Sequence, residues 1–349
     1  MTKLGIAIIG LGMAVTPHAK SLLDLSDGVD VVGAFSPTEE RRRAFAERFP
    51  FRVTDDLDRL LEDPAVDTVM MLTPPNTHLD LVRRAAAAGK HVLLEKPLEI
   101  TTGRAQALVD ACRAAGVRLG IVLQHRYRPA GRRLREILDS GRLGRLVGAS
   151  ADILNWRPQS YYDQPGRGTR ARDGGGVLLT QAIHTLDLLI HLAGLPEEVA
   201  GFATTSLVHR METEDLAGAA LRFAGGAIGT IDATTTAYPG YPERIALICE
   251  HGTASIEGAG LKVAYRDGAA EDLVPEEETG GTGADPMAFP HTQHLALIRD
   301  FLDAVRADRD PPISGEEALK VHLLIDALLR SAAERRFVSV RLPETAAAL

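Results

Sequence analysis

The sequence predicts an α/β chain: an N-terminal Rossmann doubly wound domain followed by a C-terminal α+β domain with an open, mostly antiparallel sheet. The first observation is length, since 349 residues exceed one ordinary domain and suit two. The second is the alternation of short, continuously apolar runs with helical stretches through residue 124. The third is a change of texture near residue 146, after which strand patterns succeed one another without crossover helices.

The elements follow in order. Residues 4–10 (LGIAIIG) read as a buried strand, followed by a helix over Ala14–Leu25. A second strand at 30–35 leads into the charged helical stretch Thr38–Arg48. Strands at 66–72, 91–95 and 118–124 alternate with helices over His78–Ala88 and Thr101–Ala115. Runs that are apolar throughout imply strands covered on both faces, hence a parallel sheet between helix layers. This NAD(P)-binding domain is expected to span 1–123, leaving 124–349 for substrate binding and oligomerisation. There, a helix over Arg132–Ser140 precedes strands at 146–154, 198–208, 216–223, 227–236 and 244–250. Strands joined by tight glycine turns such as Gly225-Gly226 must run largely antiparallel. Helices are expected over Gln293–Ala307 and Glu316–Arg330, after an acidic, then glycine- and proline-rich stretch over 270–290 that reads as a mobile excursion.

Composition narrows the function. With 45% hydrophobic and 25% charged residues, the chain can bury a sizeable core. A net charge of -8 argues against nucleic acid, whose phosphates call for a basic surface. Arg41-Arg42-Arg43 is ringed by Glu39, Glu40 and Glu47 and reads as a solvated helix face. No run of about 18 apolar residues exists to span a membrane, and the N-terminal run leads into a glycine turn rather than a cleavage site. Cys112 and Cys249 stand far apart in apolar surroundings, so no disulfide framework is expected and the cytoplasm is the default location.

Gly10, Gly12 and Val15 form G-x-G-x-x-V at the first strand–helix junction, with Met13 inside the turn. Two glycines permit a tight turn and let a pyrophosphate approach the unpaired N–H groups of the helix start. The second strand ends in Phe35-Ser36-Pro37-Thr38, without the acidic residue that would grip the ribose 2′-OH of NAD. Ser36, Thr38 and Arg41 or Arg42 would accommodate a 2′-phosphate, which favours NADP slightly over NAD; Ser36 and Thr38 would serve equally as helix caps. Thr73, Pro74, Asn76 and His78 follow the strand at 66–72, on the sheet edge where such folds bind ligands. Glu95, Lys96 and Pro97 end the next strand at the same edge. A lysine there can hold a substrate hydroxyl and ease its deprotonation; by residue type alone, a surface lysine beside a turn proline is the simpler reading.

After Gly174-Gly175-Gly176 comes an apolar helical stretch in which Thr180, His184, Asp187 and His191 share one stripe. Buried polar groups need partners, so the stripe faces a polar network or a cleft. His184 can exchange a proton near neutrality. His184, Asp187 and His191 would also suit a metal on one helix face; proton handling without a metal is expected. Trp156, Arg157, Tyr162 and Arg167, with Gln124 and Arg126 at the domain crossing, are expected on the substrate side; an arginine-rich loop at a subunit surface is the alternative for Arg157 and Arg167.

In this order and spacing, the glycine turn, Thr73–His78, Glu95-Lys96-Pro97 and the GGG…His184…Asp187 segment resemble the Gfo/Idh/MocA oxidoreductases, over nearly the whole chain. The resemblance implies that Lys96 is the catalytic lysine and His184 its companion acid/base, acting on a sugar-like or polyol substrate. It also implies dimers or tetramers formed through the sheet. Many members carry an aspartate four residues before that histidine, where Thr180 stands here. A nucleotide-sensing regulator and an NAD-retaining glycoside hydrolase on the same fold are the alternatives.

Overall fold

Leu4–Ile9 (β1) lies in a six-stranded parallel sheet and is buried from Gly5 onward, as its unbroken apolar sequence requires. The computed structural model describes residues 3–274 and 290–341. β1 is followed by α1 (Val15–Asp24), β2 (Val29–Phe35), α2 (Glu39–Ala46), β3 (Val53–Thr54) and α3 (Leu57–Glu62). Then come β4 (Thr68–Met71), α4 (His78–Ala87), β5 (His91–Leu94), α5 (Thr102–Ala115) and β6 (Leu119–Ile121). The strand order β3-β2-β1-β4-β5-β6 reverses between β1 and β4. At such a switch point the loops leaving neighbouring strands diverge and open a crevice at the carboxyl edge.

The next region begins with a 3₁₀ turn over Gln124–Tyr127 and α6 (Pro129–Asp139). It continues through β7 (Leu146–Leu154), α7 (Gln159–Tyr162), α8 (Val177–Thr180) and α9 (Ile183–Ala193). Six strands and their turns follow: β8 (Glu198–Thr204), β9 (Leu216–Arg222), β10 (Ile228–Thr234), β11 (Arg244–Cys249), β12 (Gly252–Glu257) and β13 (Gly260–Tyr265). β14 (Ala270–Leu273) opens the stretch read from sequence as an excursion; residues 275–289 lie outside those described. The chain ends with α10 (Thr292–Arg306), α11 (Gly315–Glu334) and β15 (Val338–Ser339).

These strands form a sheet of order β14-β13-β12-β11-β7-β10-β9-β8-β15. All pairs are antiparallel except β7 with β10. Helices α6, α8 and α9 cover one face, burying Ala151, Ile153, Ile231, Ala233, Ile245 and Leu247. The other face is open and carries exposed Phe202, Leu216, Ile228 and Ile248.

Two expectations are corrected. The apolar stretch from Val177 to His191 is not one helix, because Ala182 donates to Val177 O, five residues back, at 2.8 Å and the helix restarts at Ile183. The chain also divides differently, into Met1–Gln124 with Pro290–Leu319 and His125–Phe289 with Lys320–Leu349. Helix α10 packs on α1 and β5, and the Phe301 ring lies so close over Gly120 that a Cβ there would sit 2.4 Å from it. An amphipathic helix declares that it has a buried face, not which core receives it. Among the described residues, no helix is long and apolar enough to cross a membrane.

Candidate active site

In the first unit the carboxyl edge of the parallel sheet is built mainly from backbone. Gly10 has φ +103, and a Cβ there would stand 2.8 Å from the Leu72 carbonyl, so only glycine fits. A Cβ on Gly12 would meet nothing within 4 Å: the turn is open on that side. Helix α1 starts immediately after, with no side-chain cap on its first N–H groups and no acidic residue in its first turn. Its positive end therefore faces the open side of the turn, which suits a pyrophosphate. Met13 is exposed beside it, and Val15 is buried.

At the end of β2, Ser36 is buried and its Oγ accepts from the Thr38 amide at 3.3 Å. Arg42 donates to the Ser36 carbonyl at 2.7 Å and pairs with Asp55 at 3.3 Å. Thr38 starts α2 without a side-chain cap bond, and Arg41 is exposed. Ser36 thus shapes the turn, and Arg42 is already engaged.

The loops after β4 and β5 are tied together by His78. Its Nδ1 lies 3.1 Å from both the Pro97 and Leu98 carbonyls, and its Nε2 lies 2.9 Å from the Thr73 carbonyl. Burial keeps its pKa below the usual histidine value. Expected from sequence as a cofactor contact, His78 instead fastens the two loops, with no exposed surface of its own. Pro74 is exposed above it, Asn76 half-buried, and Thr77 Oγ1 donates to Thr73 Oγ1 at 2.8 Å.

Glu95 ends β5 and fixes the backbone of Lys96, whose amide donates to Glu95 Oε2 at 3.1 Å; the Lys96–Pro97 peptide is cis. The other Glu95 oxygen lies 2.7 Å from His18 Nε2. His294, from α10, sets its ring edge-on against His18 at 5.0 Å. Burial alone would raise the Glu95 pKa, but the His18 hydrogen bond and nearby His18, His294 and Lys96 charges hold it below the usual range. Burial, aided by His18, pushes His294 down to about 3. The ligand-type atoms of His18, Glu95 and His294 lie within 4.8 Å of one another. A tetrahedral zinc site has an edge of roughly 3.4 Å, and the His18–Glu95 contact is already a hydrogen bond, so the geometry favours a hydrogen-bonded network. Neither histidine was singled out from sequence; both are buried on apolar helix faces, where spacing gives no hint of their meeting.

In the second unit the stripe on α9 proves to be a clamp. Arg126 grips Asp187 through two bonds, Nε to Oδ2 at 2.8 Å and Nη2 to Oδ1 at 2.6 Å, with both side chains buried. Its Nη1 lies 3.4 Å from His191 Nδ1. Arg126, read from sequence as a substrate residue, therefore anchors the 3₁₀ turn to α9. His184 sits in the first turn of α9 and stacks on His125, with ring centroids 4.6 Å apart and an interplanar angle of 28°. Thr180 lies in α8, beyond the break, and its hydroxyl donates to the Gly176 carbonyl at 2.6 Å.

Other substrate-side expectations also turn inward. Tyr162 is buried, its hydroxyl paired with Thr235 Oγ1 at 2.8 Å, and burial pushes its pKa up to about 12. Buried Arg157 donates to the Trp156 carbonyl at 2.7 Å. The Arg167 guanidinium lies 4.8 Å over the Tyr161 ring, and Trp156 meets Tyr238 edge-on at 5.4 Å. These contacts pack a loop, so the expectation that Arg157 and Tyr162 present polar groups to substrate is replaced by a structural role. In the first unit, Gln124 Oε1 is buried with no hydrogen-bond partner among the described residues, a polar atom still to be satisfied.

Known proteins share this architecture. Residues 4–122 match the oxidoreductase family with an NAD-binding Rossmann fold, and residues 132–255 match the GFO/IDH/MocA C-terminal domain. The chain is 29% identical over 351 residues to myo-inositol 2-dehydrogenase of Thermotoga maritima, covering 97% of this chain and 98% of that one. It is 27% identical to D-apiose dehydrogenase of Paraburkholderia graminis, covering 96% and 89%. The crystal structure of the WlbA dehydrogenase from Bordetella pertussis, in complex with NADH and UDP-GlcNAcA, is similar with a TM-score of 0.84 and 29% identity, covering 98% and 100%. With a glycine cradle at the sheet's switch point, Glu95-Lys96-Pro97 at its edge and both halves matched in order, the chain belongs to the Gfo/Idh/MocA family of oxidoreductases.

Proposed function

We propose that this chain is an NAD(P)-dependent dehydrogenase acting on a hydroxyl-bearing carbon of a sugar, polyol or cyclic diol. The observation that carries the reading is Lys96, placed at the carboxyl end of β5 with its amide fixed by Glu95, on the same sheet edge as the open Gly12 turn. When bound, the dinucleotide supplies the hydride acceptor or donor. The residues of the chain handle orientation and the proton. Backbone N–H groups at the start of α1 hold the pyrophosphate. In the oxidative direction, the carbon–hydrogen bond breaks with its electron pair leaving as hydride, and the carbon–oxygen double bond forms. Lys96 holds the hydroxyl as it loses its proton, and His184 takes that proton; in the reverse direction His184 returns it.

The turn after β2 carries half-buried Thr38 and exposed Arg41 in place of a carboxylate, which supports a slight preference for NADP over NAD. Exposed Phe202, Leu216, Ile228 and Ile248 on the open sheet face support a homodimer or homotetramer assembled through that face. Titration with NAD, NADH, NADP and NADPH, followed by absorbance assays over inositols, aldoses and other polyols, tests the reading. The expected result is binding plus turnover of one substrate class. Binding without turnover across the panel favours a nucleotide-sensing regulator, and sugar release without net absorbance change favours a hydrolase. Binding of none of the four removes the reading.

A further inference from the structure

The stack of His125 on His184 has a third member from a distant part of the chain. Glu243 lies in the segment leading into β11, and its Oε2 is 3.6 Å from His125 Nδ1. The same oxygen accepts a hydrogen bond from Thr185 Oγ1 at 2.5 Å and lies 3.9 Å from Arg128 Nη1. Its backbone is held as well, because the Gly258 amide donates to the Glu243 carbonyl at 2.9 Å. Helix α9 has no acidic residue of its own in its first turn, so Glu243 supplies the anion at this positive helix end.

We infer that Glu243 is a positioning residue that holds a proton on the His125–His184 stack and so sets the pH range in which His184 exchanges one. The inference rests on the proposed role of His184. Two imidazoles with centroids 4.6 Å apart cannot both carry a charge without strong repulsion, so the stack takes up one proton before the other. A carboxylate at 3.6 Å from one ring stabilises that first imidazolium. Among the described residues, the charged groups of the neighbouring elements have roles of their own. Asp187, on α9, has both oxygens bonded to Arg126 from the 3₁₀ turn, and His191 lies beside that pair. Arg128, at the start of α6, faces Glu243 and partly offsets it. The α8 segment, Val177–Thr180, brings no charge. Thr185 keeps the carboxylate aimed at the stack, and a glutamine could accept the same bond, which makes the amide a clean probe of charge.

The test is a pH titration of the imidazole carbon–proton NMR signals of the full chain labelled at histidine. The signals are assigned with His125→Asn and His184→Asn. Glu243→Gln is expected to lower the first midpoint of the stack by about one pH unit, while Glu243→Asp keeps most of it. Thermal unfolding confirms that each variant is folded. Should Glu243→Gln misfold, Glu243→Asp and Thr185→Val serve instead, each expected to shift the midpoint downward by a smaller amount. Midpoints unchanged in folded variants would overturn the inference. In the oxidative direction, the acidic limb of the kcat/KM profile is expected to move down by the same amount in Glu243→Gln. The role of His184 is tested separately: full turnover in His184→Asn would sink it, whereas the NMR result judges Glu243 without any substrate.

Discussion

The carboxyl edge of the parallel sheet and the start of α9 handle polar chemistry in opposite ways. At the sheet edge the groups on offer are mostly backbone: an open glycine turn, an uncapped helix start and loops pinned by a buried His78 kept below its usual pKa. Around α9 the groups are charged side chains, and each is matched by a partner far away in sequence, Arg126 with Asp187 and Glu243 beside His125. The difference follows from the tasks proposed for the two regions. A pyrophosphate is the same in every dinucleotide and can be held by amides, which are present whatever the side chains. Proton transfer needs groups whose charge changes, and such groups must be supported individually when they are buried.

Breaking the α9 side should be the most damaging change. Asp187→Asn leaves the buried Arg126 guanidinium without its counter-charge, and a loss of about 3–5 kcal/mol of unfolding free energy is expected by chemical denaturation. On the backbone side, Gly10→Ala forces a left-handed backbone on a residue with a Cβ and presses it on the Leu72 carbonyl. It should cost about 1–3 kcal/mol and weaken dinucleotide binding in the same preparation. Gly12→Val sharpens the contrast: its Cβ meets open space in the free protein, so stability should hold within about 0.5 kcal/mol while dinucleotide affinity falls. Equal affinity for wild type and Gly12→Val would show that nothing occupies that space.

The smallest effect is a pH slope. His294 has its pKa pushed down to about 3 in the folded protein, against about 6.5 unfolded, so the unfolded state binds the extra proton between those values. Its contribution to stability is complete above pH 6.5 and declines as the pH falls toward 3. Between pH 6.5 and 5 the loss from this residue is at most about 2 kcal/mol. His78 and His91, also lowered chiefly by burial, add a slope of the same sign. Thermal midpoints at pH 6.5 and 5 should therefore fall less in His294→Gln than in the wild type.

How legible each region is follows from the same contrast. The parallel sheet can be read because continuous apolar runs and strand–helix alternation are local signals, and β1, β2 and α5 begin and end within about two residues of the expected bounds. Gly10 and Lys96 are visible because their requirements, a turn and a strand end, are local too. β3 is two residues long and leaves no periodic trace. The break between α8 and α9 is hidden because Gln181 and Ala182 are good helix residues, and a wider i−5 bond, not a breaker, ends the helix. Arg126 and Asp187 stand 61 positions apart, and His125 and Glu243 are farther apart still, so pairings that only the tertiary fold creates had no signature in spacing. The residue types of Arg157 and Tyr162 suit a polar substrate, but type alone does not say which way a side chain turns.

The central claim is that Lys96 does chemistry on a hydroxyl while the backbone holds the dinucleotide. Lys96→Met tests it most directly, measured by dinucleotide titration and by single-turnover hydride transfer on the same sample. The account predicts nucleotide affinity within about threefold of wild type and transfer slowed by at least about 100-fold. Transfer at the wild-type rate in Lys96→Met would contradict it.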